Sequence, residues 1–240
     1  MDCFLVIPCL HESGRVPVFL EALCEAIGRS GLSVGVQLVD DGSGPEEVER
    51  LRKVVAKCRN AYPFLTEVFA MRENRGKGAA IRNGWALAPD DARTLGFVDA
   101  DGSVSAAETL RVMQVALAEP APFLVMASRR AEGARVQRSL LRKWVAAGFA
   151  CLVQKSYGVQ VMDTQCGCKF VDASWYRDRS RSFKEDGFGL DLELILEAKA
   201  SGCSVREIGI AWHEEAGSKV GFSDVWTLGK AVARKRIGRS

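Results

Sequence analysis

Hydrophobic and polar residues alternate along the first 130 residues in a way that predicts strands and helices in turn. Short apolar runs bounded by polar or glycine-containing segments predict β-strands at residues 4–7, 36–39, 67–71, 95–98 and 123–126. Between them, apolar residues recur with the helical period, which predicts helices at residues 16–29, 46–59, 77–87 and 106–119. Strands that alternate with helices favour a mostly parallel sheet covered on both faces, and therefore an α/β fold.

The second half of the chain has a less regular pattern. Residues 169–171 and 205–211 are strand-like, and the helical period recurs at residues 137–157, 190–200 and 224–236. The sequence contains no repeat, linker or low-complexity segment. We therefore expect one domain over residues 1–240, with halves at 1–128 and 129–240.

Composition narrows the possible functions. The formal net charge of +3 on 240 residues gives no overall nucleic-acid-binding signature. No apolar stretch approaches the ~20 residues that a membrane-spanning helix needs, so we expect a cytoplasmic protein. Residues 140–149 mix cations with aromatic and aliphatic side chains, and residues 230–239 carry five cations and no acid. These two segments fit either peripheral contact with a membrane or a core helix followed by a solvated basic tail.

Two carboxylates follow the apolar run that ends at Val98. Asp99 and Asp101 are two residues apart, so on a continuing strand both side chains point the same way, and Gly102 allows a sharp turn. Paired carboxylates are suitable ligands for a hard divalent cation. Two acids in a solvated loop are the alternative.

The end of a second predicted strand also carries two adjacent acids followed by a glycine. Asp40 and Asp41 follow an apolar run and precede a glycine, where a carboxylate can bind a base or a ribose; capping of the next helix is the alternative. Further on, Arg75, Gly76, Lys77 and Gly78 open a predicted helix, whose N-terminus favours anions. The segment matches neither the P-loop nor the dinucleotide-binding motif.

Several motifs occur in the order and spacing of family 2 glycosyltransferases with the GT-A fold, which this sequence resembles. They are Pro8 with Glu12, the Asp-Asp-Gly-Ser segment at 40–43, the segment 75–78 and the Asp-Ala-Asp-Gly segment at 99–102. Three further motifs are similar to the branch that uses dolichyl or polyprenyl phosphate: Asp163-Thr-Gln-Cys-Gly-Cys-Lys169, Asp191 with Glu193, and Trp212-His-Glu-Glu-Ala-Gly-Ser-Lys219.

The resemblance implies a GT-A fold and a nucleoside diphosphate sugar, a UDP- or GDP-hexose, as donor. It implies that Asp41, together with Asp40, binds the nucleoside, and that Asp99 and Asp101 hold Mg²⁺ or Mn²⁺ against the diphosphate. The first half, 1–128, would bind the donor, and the second half, 129–240, the acceptor. The implied donor-binding residues are Pro8, Glu12, Asp40, Asp41, Arg75, Gly76, Lys77, Gly78, Asp99 and Ala100.

The acceptor decides which groups carry out the transfer. A hydroxyl acceptor needs a general base, and Asp163, Asp191 and Glu193 are the candidates for a base or an orienting group. A lipid phosphate is already anionic and needs cations instead. The candidate cations are Arg129, Arg130, Lys169 and Lys219. We favour an inverting hexose transfer to a polyprenyl phosphate; a saccharide or small-molecule hydroxyl acceptor and a non-catalytic nucleotide-sugar-binding protein remain as alternatives.

Overall fold

The computed structural model describes residues 1–136 and 161–213 of the chain. The strands in these ranges are β1 (Cys3–Cys9), β2 (Val34–Asp40), β3 (Phe69–Ala70), β4 (Thr94–Val98), β5 (Phe123–Ser128), β6 (Arg135–Val136), β7 (Cys168–Asp172), β8 (Ser204–Gly209) and β9 (Ala211–Trp212). Seven of them form one sheet in the order β3-β2-β1-β4-β7-β5-β8, and β6 pairs with β9. All pairs in the main sheet are parallel except those of β7.

Helices cover both faces of this sheet. They are α1 (Val16–Ser30), α2 (Pro45–Arg59), α3 (Lys77–Trp85), α4 (Ala106–Ala118), α5 (Ala173–Arg179), a 3₁₀ turn at Ser180–Ser182 and α6 (Leu190–Ala200). The apolar faces of α1, α2 and α4 join one core, and those of α3, α5 and α6 join the other. Strand β1 serves both cores because its side chains alternate: Leu5 and Ile7 enter the first, Phe4 and Val6 the second.

The central position of β1 in the sheet determines where a ligand site is expected. Strands β2 and β4 both pair in parallel with β1, one on each side, so all three strands end at the same edge of the sheet. The chain crosses from one side of β1 to the other, and a crevice at such a switch point is the usual ligand site of an open α/β sheet. Residues 40–41 and 99–101 follow β2 and β4 at this edge.

Strand β7 runs against its neighbours. It lies between β4 and β5, with Val98 opposite Cys168 and Met126 opposite Lys169. Because β7 is antiparallel, it begins where β4 and β5 end. The segment before β7, residues 161–167, is therefore brought to the same edge as Asp99.

The structure confirms the expected α/β fold with a mostly parallel sheet. Helix α6 has the predicted limits, whereas α3 ends two residues earlier and β3 is reduced to Phe69–Ala70. The sequence reading missed β6 and α5. The helices predicted at residues 137–157 and 224–236 lie outside the described residues. Within the described ranges, no helix is both long and apolar enough to cross a membrane.

A pair of helical glycines provides a test of the packing between α3 and the sheet. A Cβ at Gly84 would lie 2.7 Å from Val6 Cγ2 and 2.9 Å from Val39 Cγ2. We expect the overpacking in Gly84→Ala to exceed the gain in helix propensity and to lower the free energy of unfolding by ~1–2 kcal/mol, measured by urea denaturation.

Gly28→Ala is the matched control, because a Cβ there would lie 3.4 Å from the Tyr62 ring, an ordinary contact. It should leave stability unchanged or raise it by up to ~1 kcal/mol. Equal stabilities of the two variants would contradict the close approach of α3 to β1 and β2.

Candidate active site

Charged side chains from separate parts of the chain meet at the edge where the parallel strands end. They come from the ends of β2, β4 and β5, the first turn of α3, the segment before β7 and the first turn of α6. The residues in this group are Asp40, Asp41, Lys77, Asp99, Asp101, Arg129, Asp163, Lys169 and Asp191. Most of them are already paired with one another, and these pairs determine what each residue can do.

Asp99 lies at this edge of the sheet, which we call the cleft, and it is bound by Lys77. The Lys77 ammonium lies 2.6 Å from Asp99 Oδ1 and 4.0 Å from Asp191 Oδ2. Desolvation raises the pKa of the Asp99 carboxyl, and the adjacent ammonium opposes this shift. Burial disfavours the charged form of Lys77, but the two carboxylates outweigh it and raise the Lys77 pKa. The Lys77 ammonium thus opposes the effect of burial on the Asp99 carboxyl.

Asp99 and Asp101 fit part of a divalent-cation site. Asp101 accepts a hydrogen bond from the Ser103 N–H at 2.9 Å, in a turn where Gly102 has a φ of +75°. Their oxygens are the ligand type that Mg²⁺ and Mn²⁺ prefer. Within the described ranges, no group of three or more His, Cys, Asp or Glu side chains is placed to hold a metal. These two carboxylates fit a cation that takes its other ligands from a diphosphate and water.

Asp40 and Asp41 have different environments. Asp41 accepts hydrogen bonds from the N–H groups of Arg75 at 2.9 Å and Gly76 at 2.8 Å. Desolvation raises its pKa in spite of these two bonds. Asp40 accepts a bond from Ser43 N–H through Oδ2, while its Oδ1 is buried and has no partner among the described residues. The unsatisfied acceptor therefore belongs to Asp40, although the resemblance put Asp41 first as the residue that binds the nucleoside.

The two glycines of the 75–78 segment contact the protein's own backbone. A Cβ at Gly76 would lie 2.5 Å from the Asp186 carbonyl oxygen, and one at Gly78 would lie 2.5 Å from that of Glu185. The Ala79 N–H also donates to the Asp186 carbonyl at 2.9 Å. The glycines thus allow residues 185–187 to approach α3. The resemblance implied that Gly76 and Gly78 bind the donor; in the structure they lie against residues 185–187.

Asp186 is a residue that the sequence analysis missed. Its carboxylate pairs with Arg75 at 3.0 Å and with Arg82, and Arg82 also donates to the Glu185 carbonyl at 2.9 Å. These bonds hold residues 185–187 over the start of α3. In the 75–78 segment, Lys77 is the residue whose side chain reaches Asp99.

Pro8, Glu12 and Ala100 frame the cleft rather than project a charge into it. Pro8 lies in β1 opposite Val39, and Ala100 is buried between the two cleft carboxylates. Glu12 is buried, its carboxylate pairs with Arg15, and its carbonyl accepts the N–H groups that begin α1. These contacts give Glu12 a structural role at the start of α1.

Lys169 is fully buried. Its ammonium donates to the carbonyls of Thr164 at 3.2 Å and Cys166 at 2.9 Å, and to the Asp191 carboxylate. An ammonium has three N–H donors, and all three have partners inside the protein. The expected contact of Lys169 with an acceptor phosphate is therefore wrong. The expected role of Asp191 as a general base also disagrees with its place between Lys169 and Lys77.

Arg129 and Asp163 form a bidentate pair. Arg129 Nε and Nη2 each lie 2.7 Å from an Asp163 oxygen, and the Arg129 N–H adds a third bond at 2.9 Å. Burial alone would raise the pKa of Asp163, but Arg129 outweighs burial and lowers it to about 2. So weak a base is poorly suited to take a proton from a hydroxyl, which disagrees with the predicted base role of Asp163.

The remaining predicted cations differ in position. Arg129 lies over the Trp212 ring, 5.8 Å from its centroid, and it follows β5 at the same edge of the sheet as Asp99. Arg130 is exposed beside Arg129. Lys219 and the segments 140–149 and 230–239 lie outside the described residues.

Glu207 on β8 is a second residue that the sequence did not indicate. Its two carboxylate oxygens accept the N–H groups of Met162 at 2.7 Å and Asp163 at 2.8 Å. Glu207 thereby fixes the backbone that carries the Asp163 carboxylate, and through it Arg129. A lone acid in a polar strand gives no sequence signal for this role, because the contact spans 44 residues.

Comparison with known proteins finds a family model that matches this chain and a set of similar proteins. The family model described as Glycosyl transferase family 2 matches residues 4–180. Dolichyl-phosphate beta-glucosyltransferase of Saccharomyces cerevisiae is 27% identical over 234 residues, which cover 91% of this chain and 69% of that protein. The human protein of the same name is 28% identical over 229 residues, with coverages of 90% and 68%.

Solved structures share the fold. Glucosyl-3-phosphoglycerate synthase from Mycobacterium tuberculosis, in complex with Mn²⁺, uridine diphosphate and glucosyl-3-phosphoglycerate, superposes with a TM-score of 0.67 at 16% identity. The match covers 99% of this chain and 80% of that one. Mannosyl-3-phosphoglycerate synthase from Rubrobacter xylanophilus gives a TM-score of 0.68 at 16% identity, covering 100% and 74%. At these identities the likeness shows the fold alone.

The buried pair of Lys169 and Asp191 predicts a large stability effect. Lys169→Met leaves the Asp191 carboxylate and two carbonyls without their shared donor, so we expect the free energy of unfolding to fall by ~3–5 kcal/mol. The double variant Lys169→Met/Asp191→Leu should recover part of this loss in urea denaturation, because no unpaired charge is left. Lys53→Met on the exposed face of α2 is the control, and a loss below ~1 kcal/mol at Lys169 would contradict the buried pair.

The role of Glu207 can be measured by hydrogen exchange. In Glu207→Gln, the new NH₂ group cannot accept a bond, so one of the Met162 and Asp163 amides loses its partner. We expect at least one of these amides to exchange about tenfold faster or more. Glu132→Gln, at an exposed glutamate nearby, should change neither amide; unchanged exchange in Glu207→Gln would show that Glu207 does not hold this segment.

Proposed function

The chain belongs to glycosyl transferase family 2, and from this premise we propose that it transfers glucose from UDP-glucose to a polyprenyl phosphate. Relatives named dolichyl-phosphate beta-glucosyltransferase match about nine-tenths of the chain, which supports the sugar and the acceptor class. A solved neighbour that holds uridine diphosphate supports the nucleotide. A GDP-hexose is the alternative donor.

In this proposal the donor binds at the ends of β2 and β4. The base or ribose is assigned to the end of β2, where the buried Asp40 Oδ1 has no partner among the described residues. Pro8 and Ala100 shape the pocket, and Lys77 lies where it can bind the diphosphate. Asp99 and Asp101 would hold Mg²⁺ or Mn²⁺, which would supply positive charge to stabilise the departing diphosphate.

The ion pairs that hold Asp163 and Asp191 are the observation that supports a phosphate acceptor. Asp163 is paired with Arg129 and Asp191 with Lys169. The third candidate base, Glu193, accepts the N–H groups of Lys184 and Glu185. A hydroxyl acceptor would need one of them to be available to take a proton, whereas a phosphate is already ionised. Arg129 and Arg130 lie at the same edge as Asp99 and supply the cations that a phosphate needs.

The reaction proposed is a single displacement. An oxygen of the acceptor phosphate attacks the anomeric carbon and forms the new C–O bond, while the bond from that carbon to the diphosphate breaks. The electron pair leaves with uridine diphosphate, and the anomeric centre is inverted. In this reading Arg129, fixed by Asp163 and Glu207, orients the attacking phosphate. A lipid acceptor would place the protein peripherally on the inner face of the cytoplasmic membrane.

A donor and acceptor panel tests this function. Purified protein with Mn²⁺ is given radiolabelled UDP-glucose, UDP-N-acetylglucosamine or GDP-mannose, with undecaprenyl phosphate or an alkyl glucoside as acceptor. We expect glucosyl transfer from UDP-glucose to the lipid phosphate. In Arg130→Gln, transfer should fall about tenfold to a hundredfold, with slow donor hydrolysis retained, because one charge-assisted contact is worth ~1.5–3 kcal/mol.

Arg52→Gln, at an exposed arginine in the middle of α2, is the matched control and should transfer normally. Transfer to the glucoside with no effect of Arg130→Gln would favour a hydroxyl acceptor. Binding of the nucleotide sugar without turnover of any acceptor would favour the non-catalytic alternative.

A further inference from the structure

Lys77 lies between two acidic side chains, those of Asp99 and Asp191. Its ammonium is 2.6 Å from Asp99 Oδ1 and 4.0 Å from Asp191 Oδ2, and its side chain is 13% exposed. The ring of Phe97 lies 5.0 Å and that of Phe188 5.9 Å from the same ammonium. Rings on two sides restrict where the ammonium can move, and leave Asp99 as its principal partner.

The charges around Lys77 alternate in sign. Lys169 binds one oxygen of Asp191, the other oxygen of Asp191 faces Lys77, and Lys77 binds Asp99. Because Asp191 already has a buried partner in Lys169, the charge of Lys77 is the one that balances Asp99. The four charges sum to zero without any added ion.

A dication that binds to Asp99 without a nucleoside diphosphate would disturb this balance of charge, which is unfavourable. It would share a carboxylate with an ammonium, and the repulsion between charges of +2 and +1 is twice that between single charges at the same distance. A dication that arrives with a nucleoside diphosphate brings negative charge with it. The phosphate oxygens then offer Lys77 a new partner, and Asp99 is released to the metal.

We propose that Lys77 is a displaceable counterion of Asp99, which keeps the affinity for a free divalent cation low and couples metal binding to donor binding. The identity of the donor rests on the function proposed above, whereas the competition between Lys77 and the metal does not. Lys77 then contacts Asp99 before the donor binds and the diphosphate afterwards. Metal and nucleotide enter as one unit.

A titration with Mn²⁺ tests the proposal without any assay of transfer. Free Mn²⁺ is counted by its electron paramagnetic resonance signal, with and without uridine diphosphate, for the wild type, Lys77→Met and Lys77→Arg. We expect Lys77→Met to bind Mn²⁺ alone at least tenfold more tightly than the wild type. The enhancement of Mn²⁺ affinity by uridine diphosphate should shrink at least tenfold in the same variant.

Four variants serve as comparisons in this design. Lys77→Arg keeps the charge and should retain weak binding of Mn²⁺ alone. Asp101→Asn should weaken Mn²⁺ binding in both conditions, which identifies the site, and Lys53→Met on α2 should match the wild type. Lys77→Gln is a second neutral variant, so that poor folding of Lys77→Met would not prevent the test.

The outcomes separate this inference from the function on which it builds. If the neutral variants bind Mn²⁺ alone no more tightly than the wild type, Lys77 is an ordinary structural partner of Asp99 and the proposal is overturned. If the wild type does not bind uridine diphosphate, the donor assignment fails, and the titration with Mn²⁺ alone still decides the role of Lys77.

Discussion

The buried ion pair between Lys169 and Asp191 is the contact on which the rest of the site depends. It joins β7 to α6 in the interior, and the same ammonium holds the carbonyls of Thr164 and Cys166. The segment shaped by these bonds presents the Gly167 carbonyl to the N–H of Asp99 at 2.8 Å. Removing two charges from water is costly, so this arrangement persists only when every partner is in place. The position of Asp99 is thereby set in part by buried groups inside the protein.

The cleft is an arrangement of paired charges rather than a set of independent reactive groups. Asp99 has Lys77, Asp163 has Arg129, and Asp41 has two backbone N–H groups. Such pairs are oriented before a ligand arrives, and a preorganised field stabilises developing charge without reorganising at the moment of reaction. A cleft of this kind suits the departure of a charged diphosphate better than the removal of a proton.

The sequence predicted what depends on local pattern. Apolar runs located β1, β2, β4 and β5, and the acids directly after β2 and β4 meet in space because parallel strands end at one edge. The predicted limits of α6 agree with the structure. What the sequence could not reveal depends on distant contacts. The burial of Lys169 is set by α6, and the packing of Gly76 is set by residues 185–187. The role of Glu207 appears only when β8 lies beside β5.

The insertion of β7 between β4 and β5 has a consequence for the order in which the chain can fold. Neighbours in the sheet are 70 residues or more apart where β4 meets β7, and β5 receives β7 on one side and β8 on the other. A chain emerging from the ribosome with only residues 1–128 lacks the strand that separates β4 from β5. Contacts between such distant segments form slowly, because a long loop must close first. The edge that carries Asp99 is therefore completed only after residue 172 has been synthesised, so the division into a donor half and an acceptor half is not a division into folding units.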